Sequence, residues 1–592
     1  MNRAVLFASI TLIATPAWAQ SMSDKTMADM PGMAHMAAPS AATAAAMADI
    51  PPGMGPMAHM HPMPSVYAGQ ADKPGAPVFK DLGAHKHPIT TKNPQTQAFF
   101  DQGVNLLFGF NHAEAIRSFR EAARLDPDCA MCWWGVAVAL GPNINLPMPE
   151  DAVAPAWEAL QRARALAPKA SSAEQAWIEA LSARYSADPK ADRKALDEAY
   201  AQAMIRLAKA WPDDLDAATF AAEAMMDTQP WDYWQADATT PKGHGAEIVS
   251  TLEQVIAKAP DHPGALHLYI HAVEASTTPE RAERAADRLL VLMPEAGHIV
   301  HMPSHIYYRV GRYLDAAKAN EKAALVDEGY IAACRAQGFY PMGYYGHNIH
   351  FLWTSSEMEG RSQVALGAAR RLVKAVDAEA AARIASPAEL YTFTPIVTLV
   401  RFGQWKAVLD EPPPPADLKL ENAVWLYSRA FAHANLGDFD AALADRAKLA
   451  ALTGADFSSY DAFGVPAKPL TLLALALTDG EIARKRGTLD AAIVRFRQAA
   501  EIEAALPYTE PPWWHQPVSH LLGAALLDAG RAKEAEDLYR TSLKSYRRDG
   551  WALMGLTRAL EAQGKTAEAA QTRAQFEEAW KLADVKLTTS RL

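Results

Sequence analysis

Three cysteines in 592 residues are too few for a disulfide scaffold, and no basic block interrupts a chain whose 57 Lys and Arg stand against 68 Asp and Glu. The formal charge of -11 argues against a nucleic-acid backbone or an anionic membrane surface as partner. No stretch beyond the N-terminus offers the roughly 18 uninterrupted apolar residues of a membrane span. An HExxH pair, a Gly-x-Ser-x-Gly elbow, a Walker loop and a dinucleotide fingerprint are all missing, which leaves those mechanisms without support. Alternating strand patterns are absent as well. What is present is 50% apolar and 21% charged, ample for a large folded core.

Residues 1–19 read as a secretory signal peptide: Arg3, an apolar run from Ala4 to Ala14, and the small-x-small end Ala17-Trp18-Ala19. The mature chain is therefore expected in the periplasm or outside the cell. Those compartments are oxidising, so Cys129, Cys132 and Cys334 read as disulfide partners or metal ligands. Residues 20–90 form a Met/His/Pro-rich tail and linker expected to be disordered, because 21–66 has almost no branched aliphatic or aromatic side chain to bury. Its methionines keep a spacing of three: Met27, Met30, Met33 and Met36, then Met54, Met57, Met60 and Met63, with His35, His59 and His61 among them. Thioethers are soft ligands that favour Cu(I), whereas imidazoles suit Cu(II) and Zn. The two ladders resemble the Met-rich motifs of periplasmic copper-handling proteins, which implies a tail that captures or delivers copper. A low-complexity spacer is the plain alternative.

From about Gln95 onward the chain is Ala-rich with helical periodicity. Phe110-Asn111-His112-Ala113-Glu114-Ala115 begins a helix that closes at Pro127, and Gly311-Arg312-Tyr313-Leu314-Asp315-Ala316, Gly437-Asp438-Phe439-Asp440-Ala441, Gly530-Arg531-Ala532-Lys533-Glu534 and Gly564-Lys565-Thr566-Ala567-Glu568 repeat the same turn-and-helix pattern. These segments resemble the turn and second helix of the tetratricopeptide repeat (TPR). That resemblance implies an all-α, TPR-like helical-hairpin solenoid, a superhelix whose first helices line a concave face. The run Pro412 to Pro415 is expected to separate an N-terminal array (91–411) from a C-terminal array (416–586).

Eight of the 18 histidines lie between His262 and His350. His267 and His271 are four apart, as are His301 and His305, and the two pairs are offset by one repeat length of 34. With Gly311 and Gly360 as turn residues, the repeat register implies that His298, His301, His305, His347 and His350 join them on the concave face. Seven imidazoles on neighbouring helices, with axes about 8–10 Å apart, can share an ion. Glu274 and Glu357 fall beyond them in the same register, as ligands, partners of the imidazoles, or general bases. Pro303 interrupts the middle helix and helps re-aim His301 and His305. A metal-free groove with a pH-sensitive imidazole patch is the alternative.

Cys129-Ala-Met-Cys132 has thioredoxin-like spacing without a βαβ setting, and Trp133 excludes c-type haem attachment. A structural disulfide or core pair stands beside a Cu(I) site with Met131. His112 reads as a packing residue, and Trp231, Tyr233, Trp234, Trp513 and Trp514 as aromatic core. His520 reaches the groove of the second array in this register. The sequence thus predicts a TPR-like solenoid behind a disordered Met-rich tail. It binds transition metal, copper first and zinc or iron next, in metal homeostasis or resistance. Two other readings stay open: a metal-dependent hydrolase or oxidoreductase in which Glu274 or Glu357 moves protons, and a metal-free scaffold with a protein or peptide partner in its groove.

Overall fold

The computed structural model describes residues 67, 71–73, 75–334, 340–375, 385–461 and 463–592. The expected signal peptide and both methionine ladders, with His35, His59 and His61, lie outside these residues. Among the described residues there is no named strand, only two isolated bridges, and no helix is long and apolar enough to cross a membrane.

The first helices are α1 Pro94–Phe108, α2 His112–Leu125, α3 Ala130–Ala139, α4 Val153–Leu166, α5 Ser172–Ser182, α6 Arg193–Ala210, α7 Leu215–Asp227 and α8 Gly245–Lys258. The middle of the chain forms α9 Pro263–Val273, α10 Glu283–Leu289, α11 Gly297–His301, α12 Pro303–Val310, α13 Tyr313–Cys334, α14 Gly346–Met358 and α15 Ser362–Ala375. Next come α16 Ala385–Thr392, α17 Thr394–Arg401, α18 Trp405–Asp410, α19 Lys419–Leu436, α20 Phe439–Leu452, α21 Ser458–Asp461 and α22 Ala467–Lys485. The last are α23 Leu489–Ala504, α24 Val518–Asp528, α25 Ala532–Ser545, α26 Gly550–Ala562 and α27 Thr566–Ala579. Most helices pack on the next one along the chain, so the architecture is a TPR-like solenoid of helical hairpins. Local signals start the helices: Asn93 caps α1, a Ser171/Glu174 capping box opens α5, and Asp214 caps α7. Phe119 fills the space left by two glycines on neighbouring helices; a Cβ on Gly103 or Gly135 would come within 2.5 or 2.4 Å of its ring.

Two expectations about organisation change. Residues 75–90, expected within the disordered tail, run as an ordered strap, because side chains of the solenoid take up its backbone groups. Lys80 and Asp81 N–H donate to Glu295 (2.7 and 3.0 Å), Ile89 N–H to Gln97 (3.0 Å) and Thr90 N–H to Glu174 (2.6 Å). The apolar core also divides earlier than the proline run: of its two large clusters, one spans Tyr67 to Tyr344 and the other Ala317 to Leu587, meeting in α13 at Ala316 and Ala317. Pro412–Pro415 merely links α18 to α19 within the second cluster.

The end of the chain returns to its middle. Gly311 (φ 79°) and Gly360 (φ 69°) are left-handed turn residues whose missing Cβ makes room for a distant segment. Arg547 O would lie 2.1 Å from a Cβ on Gly311, and the Trp580 ring 2.3 Å from one on Gly360. Trp551 Nε1 donates to the Glu357 carbonyl (3.0 Å), and Asp584 accepts from Ser362 and Gln363 N–H (2.7 and 3.0 Å).

Candidate metal centre

Four helices supply the centre. His262 caps α9 through Ala265 N–H, Pro263 takes the first helical position, and His267 and His271 follow one turn apart. The next first-helix is broken at Pro303 into α11, with His298 and His301, and α12, with His305. A single π-turn, Pro341–Tyr345, leads into α14 and places His347 in its first turn. The outcome is two adjacent triads of ligand atoms, His267/His271/His298 and His301/His305/His347, the three atoms of each lying within 4.8 Å of one another. The triads come nearest one another at two places, where the rings of His271 and His305, and of His298 and His301, stand 5.8 Å apart.

The hydrogen bonds orient the rings. His267 Nδ1 donates to the Phe108 carbonyl (2.7 Å). His271 Nδ1 donates to Glu274 Oε1 (2.9 Å), and His305 Nδ1 pairs with Glu274 Oε2 (2.5 Å). His301 Nδ1 donates to Asn320 Oδ1 (2.6 Å), whose amide is set by Asn320 Nδ2 donating to the Ala316 carbonyl (2.8 Å). With Nδ1 carrying the hydrogen, Nε2 of His267, His271 and His301 turns inward as a lone pair, the arrangement in which an outer partner fixes the tautomer of a metal-binding imidazole; His305 carries a second hydrogen on Nε2 at pH 7, which a metal would displace. His301 and His305 Nε2 lie 2.9 Å apart, and His267 and His298 Nε2 3.2 Å. Two lone pairs at 2.9 Å repel unless a cation, proton or metal, sits between them. An ion bonded to two imidazoles at about 2.0–2.1 Å holds its nitrogens at about 3–3.5 Å. His271 Nε2 and His298 Nδ1 are buried without a hydrogen-bond partner among the described residues, which calls for an explanation in a native core.

Burial sets the charge states. It holds His267, His298, His301 and His347 well below the usual imidazole range, aided by the neighbouring imidazoles, and it lowers His271 against the pull of Glu274. These five are neutral at pH 7, the form that binds metal. His305 is the exception: burial pulls it down, but the Glu274 carboxylate overrides this and holds it up at about 10. Burial likewise pushes Glu274 up, and His305 with His271 holds it down at about 2.

The centre is an interior, not an open groove. The five histidines from α9, α11 and α12 are no more than 3% exposed, and His347 alone is partly exposed. The roof is aromatic: Phe110 lies 4.6 Å from His267 and 5.3 Å from His298, Tyr344 4.6 Å from His298, and Trp231 4.9 Å from His271. Phe110 stands where later repeats carry the turn glycine, and it takes that residue's left-handed backbone (φ 58°). A phenylalanine there costs about 1–2 kcal/mol of backbone strain; its ring closes the site.

Several expected residues lie elsewhere. His350 leaves the cluster, because three residues along α14 from His347 it turns to stack on Trp353 (5.1 Å) and against Tyr391 (5.2 Å). Glu357 faces Arg401 at 3.8 Å, away from both triads; burial pushes its pKa up to about 8, with Arg401 opposing. Cys129 and Cys132 form a disulfide, which removes the thiolates a Cu(I) site there would use, and Cys334 is a buried free thiol. His520 pairs with Asp549 (2.6 Å), and His112 donates to the Ala139 carbonyl (2.8 Å) as a packing residue. Sequence reasoning missed Glu510, 3.3 Å from His305 Nδ1 and 3.9 Å from Arg309 Nε, which arrives from the loop before α24. It also missed a second polar cluster, in which His85 (3.0 Å), His87 (2.6 Å) and His262 (2.9 Å) converge on Asp216. His262 Nδ1 already accepts from Ala265 N–H, so its Nε2 carries a hydrogen and donates to Asp216. That cluster ties the strap to α7.

No protein-family model matches the sequence, and no curated protein matches it. Among solved structures, the human IFIT1 dimer with m7Gppp-AAAA aligns over 84% of this chain and 92% of its own, at 14% identity and a TM-score of 0.30. Yeast Tom70 aligns over 84% and 93%, at 15% identity and a TM-score of 0.25. At these scores the likenesses carry no argument. The assignment of a helical-hairpin solenoid rests on the chain's own helices, and the site is read from its own side chains.

Proposed function

We propose that the chain binds transition metal, copper before zinc or iron, at its two interior histidine triads, and that it serves metal homeostasis or resistance in the periplasm. In this reading the Met/His tail captures the ion or delivers it. One observation carries the proposal: Nδ1 of His267, His271 and His301 is anchored on a carbonyl, a carboxylate and an amide, His305 Nδ1 lies against the same carboxylate, and Nε2 of His267, His301 and His305 faces another imidazole at 2.9–3.2 Å while buried His271 Nε2 has no hydrogen-bond partner among the described residues. A core packed for stability alone would replace so many buried polar groups with apolar ones. Among the described residues, five of the six imidazoles are at most 3% exposed beneath this roof, which leaves His347 as the one a peptide could reach.

The test is elemental analysis of the full chain purified without a metal-binding tag, beside a His267→Ala/His301→Ala/His305→Ala variant and a His350→Ala control. Wild type and the control should carry copper, zinc or iron that the triple variant loses. A metal-free wild type that takes up no added copper or zinc at micromolar concentration refutes the proposal.

A further inference from the structure

We infer that the two triads hold a pair of monovalent copper ions and that this pair binds dioxygen between them, an inference that rests on the metal-binding reading above. The inward-facing ligand set is all imidazole. The oxygens of Glu274 face His271 and His305 Nδ1, and Glu510 faces His305 Nδ1; these carboxylates form a further buried group of possible ligand atoms with His305, on the Nδ1 side of its ring and not on the Nε2 side that meets His301. Such a set favours copper over hard cations that require oxygen.

Charge narrows the choice further. Once His305 gives up its proton to become a ligand, the charged groups facing the triads are two carboxylates, Glu274 and Glu510, and one cation, Arg309, 3.9 Å from Glu510. Together they supply one net negative charge. Two monovalent ions then leave a single positive charge in a site whose helical histidines are at most 3% exposed; two divalent ions leave three. Each uncompensated buried charge costs several kcal/mol, so burial selects the monovalent pair.

The same count identifies the reactant. When each copper gives up one electron and dioxygen takes both, the product is two divalent ions and one peroxide dianion lying between them. No bond to the protein forms, no proton is needed, and the total charge of ions plus diatomic is unchanged. Burial therefore does not oppose this oxidation, whereas oxidation without a bridging dianion would add two charges. The roof of Phe110, Tyr344 and Trp231 and the aromatic floor of Phe351, 4.7 Å from His305, suit a small apolar molecule. Partly exposed His347 marks the side of approach.

The experiment loads the full chain anaerobically with Cu(I) in acetonitrile buffer, counts copper, then titrates dioxygen while recording absorption and electron paramagnetic resonance. Because tail thioethers take copper in every variant, counts are read as differences from a chain with both triads broken (His267→Ala/His271→Ala/His301→Ala/His305→Ala). Wild type should hold two more coppers than that chain and take up one dioxygen per pair. The extra copper should be silent in the resonance spectrum, since two Cu(II) ions couple through one bridge. A His347→Ala variant, altered at the partly exposed ligand and checked for folding by circular dichroism, should lose the dioxygen uptake and show an isolated Cu(II) signal on oxidation. Two extra coppers with no dioxygen uptake, or with a full isolated Cu(II) signal in wild type, overturn the paired site and leave the metal reading standing. No extra copper overturns both.

Discussion

Glu274→Gln isolates the part of the centre that touches no ion yet sets two of its ligands. The carboxylate accepts from His271 Nδ1 at 2.9 Å and pairs with His305 Nδ1 at 2.5 Å, one oxygen for each triad. An amide of the same shape offers one oxygen and one NH2, so it can accept from only one imidazole and turns a donor toward the other. The imidazole left facing a donor loses its tautomer lock. Loss of such an outer partner weakens metal affinity about 10–100-fold, or about 1.4–2.7 kcal/mol. One ion should therefore weaken by that factor while the other keeps its affinity, and Glu274→Ala should weaken both. Asn320→Ala provides the comparison on a single ligand, since it unlocks His301 alone. Competition against chelators of graded affinity resolves the two binding steps. A folded Glu274→Gln chain that binds both ions as tightly as wild type would refute the account of the anchored Nδ1 atoms.

The strap supplies a pH-dependent prediction. Burial pushes Asp216 up, but hydrogen bonds from His262, His85 and His87 hold it well below the usual carboxylate range, and Asp216 in turn raises His87 against its burial. The Asp216 contribution is present above its unfolded value of about 3.9 and is lost as pH falls through its lower folded value; the His87 contribution is full below about 6.5 and is lost as pH rises through its raised folded value. The protection of the amides across residues 76–90, that is their exchange relative to an unstructured peptide at the same pH, should accordingly be greatest between about pH 4 and 6.5, and Asp216→Asn should lower it at those pH values by the equivalent of about 3 kcal/mol, the low end for stranding buried partners. Protection that is flat with pH in wild type would contradict this. Phe110→Gly should relieve about 1–2 kcal/mol of backbone strain but lose about 3–5 kcal/mol of ring burial, so the melting temperature should fall and chelators should strip metal faster. An unchanged stripping rate would show that the ring is no roof.

The repeat architecture was legible because it is local: turn glycines, caps and helical periodicity are written within each hairpin. The pairing of His267/His271 with His301/His305 followed from the repeat length alone, and Pro303 announced the division of α11 from α12. Neighbours on one helix were placed less well. Register put His350 beside His347, yet the π-turn before α14 and the stacking of Trp353 set it outside. Glu357 failed for a different reason, since its partner Arg401 lies three helices on, in α17, and competes for it. Glu510 had no local signal, because the return of the chain end, and not any periodicity, brings it to His305. Phe110 did carry a signal: it occupies the turn position where Gly311, Gly437, Gly530 and Gly564 stand in other repeats. A bulky side chain at a left-handed position marks a place where something other than the turn is being served.

The docking of Arg547 and Trp580 on Gly311 and Gly360 bears on how this solenoid comes apart. In an open array each repeat touches only its neighbours, so stability is a sum of local terms and unfolding can fray from either end. Here the final hairpin is held by residues more than two hundred positions earlier, and the loop that carries Glu510 lies inside that embrace. Fraying of the last hairpin must first break these distant contacts, which ties it to the repeats that hold the histidines. The molecule should melt in one cooperative step, with slow refolding that waits on the distant ends meeting. Destabilising the far end should then reach the histidines without touching them, as the last hairpin and the ligand helices share one transition.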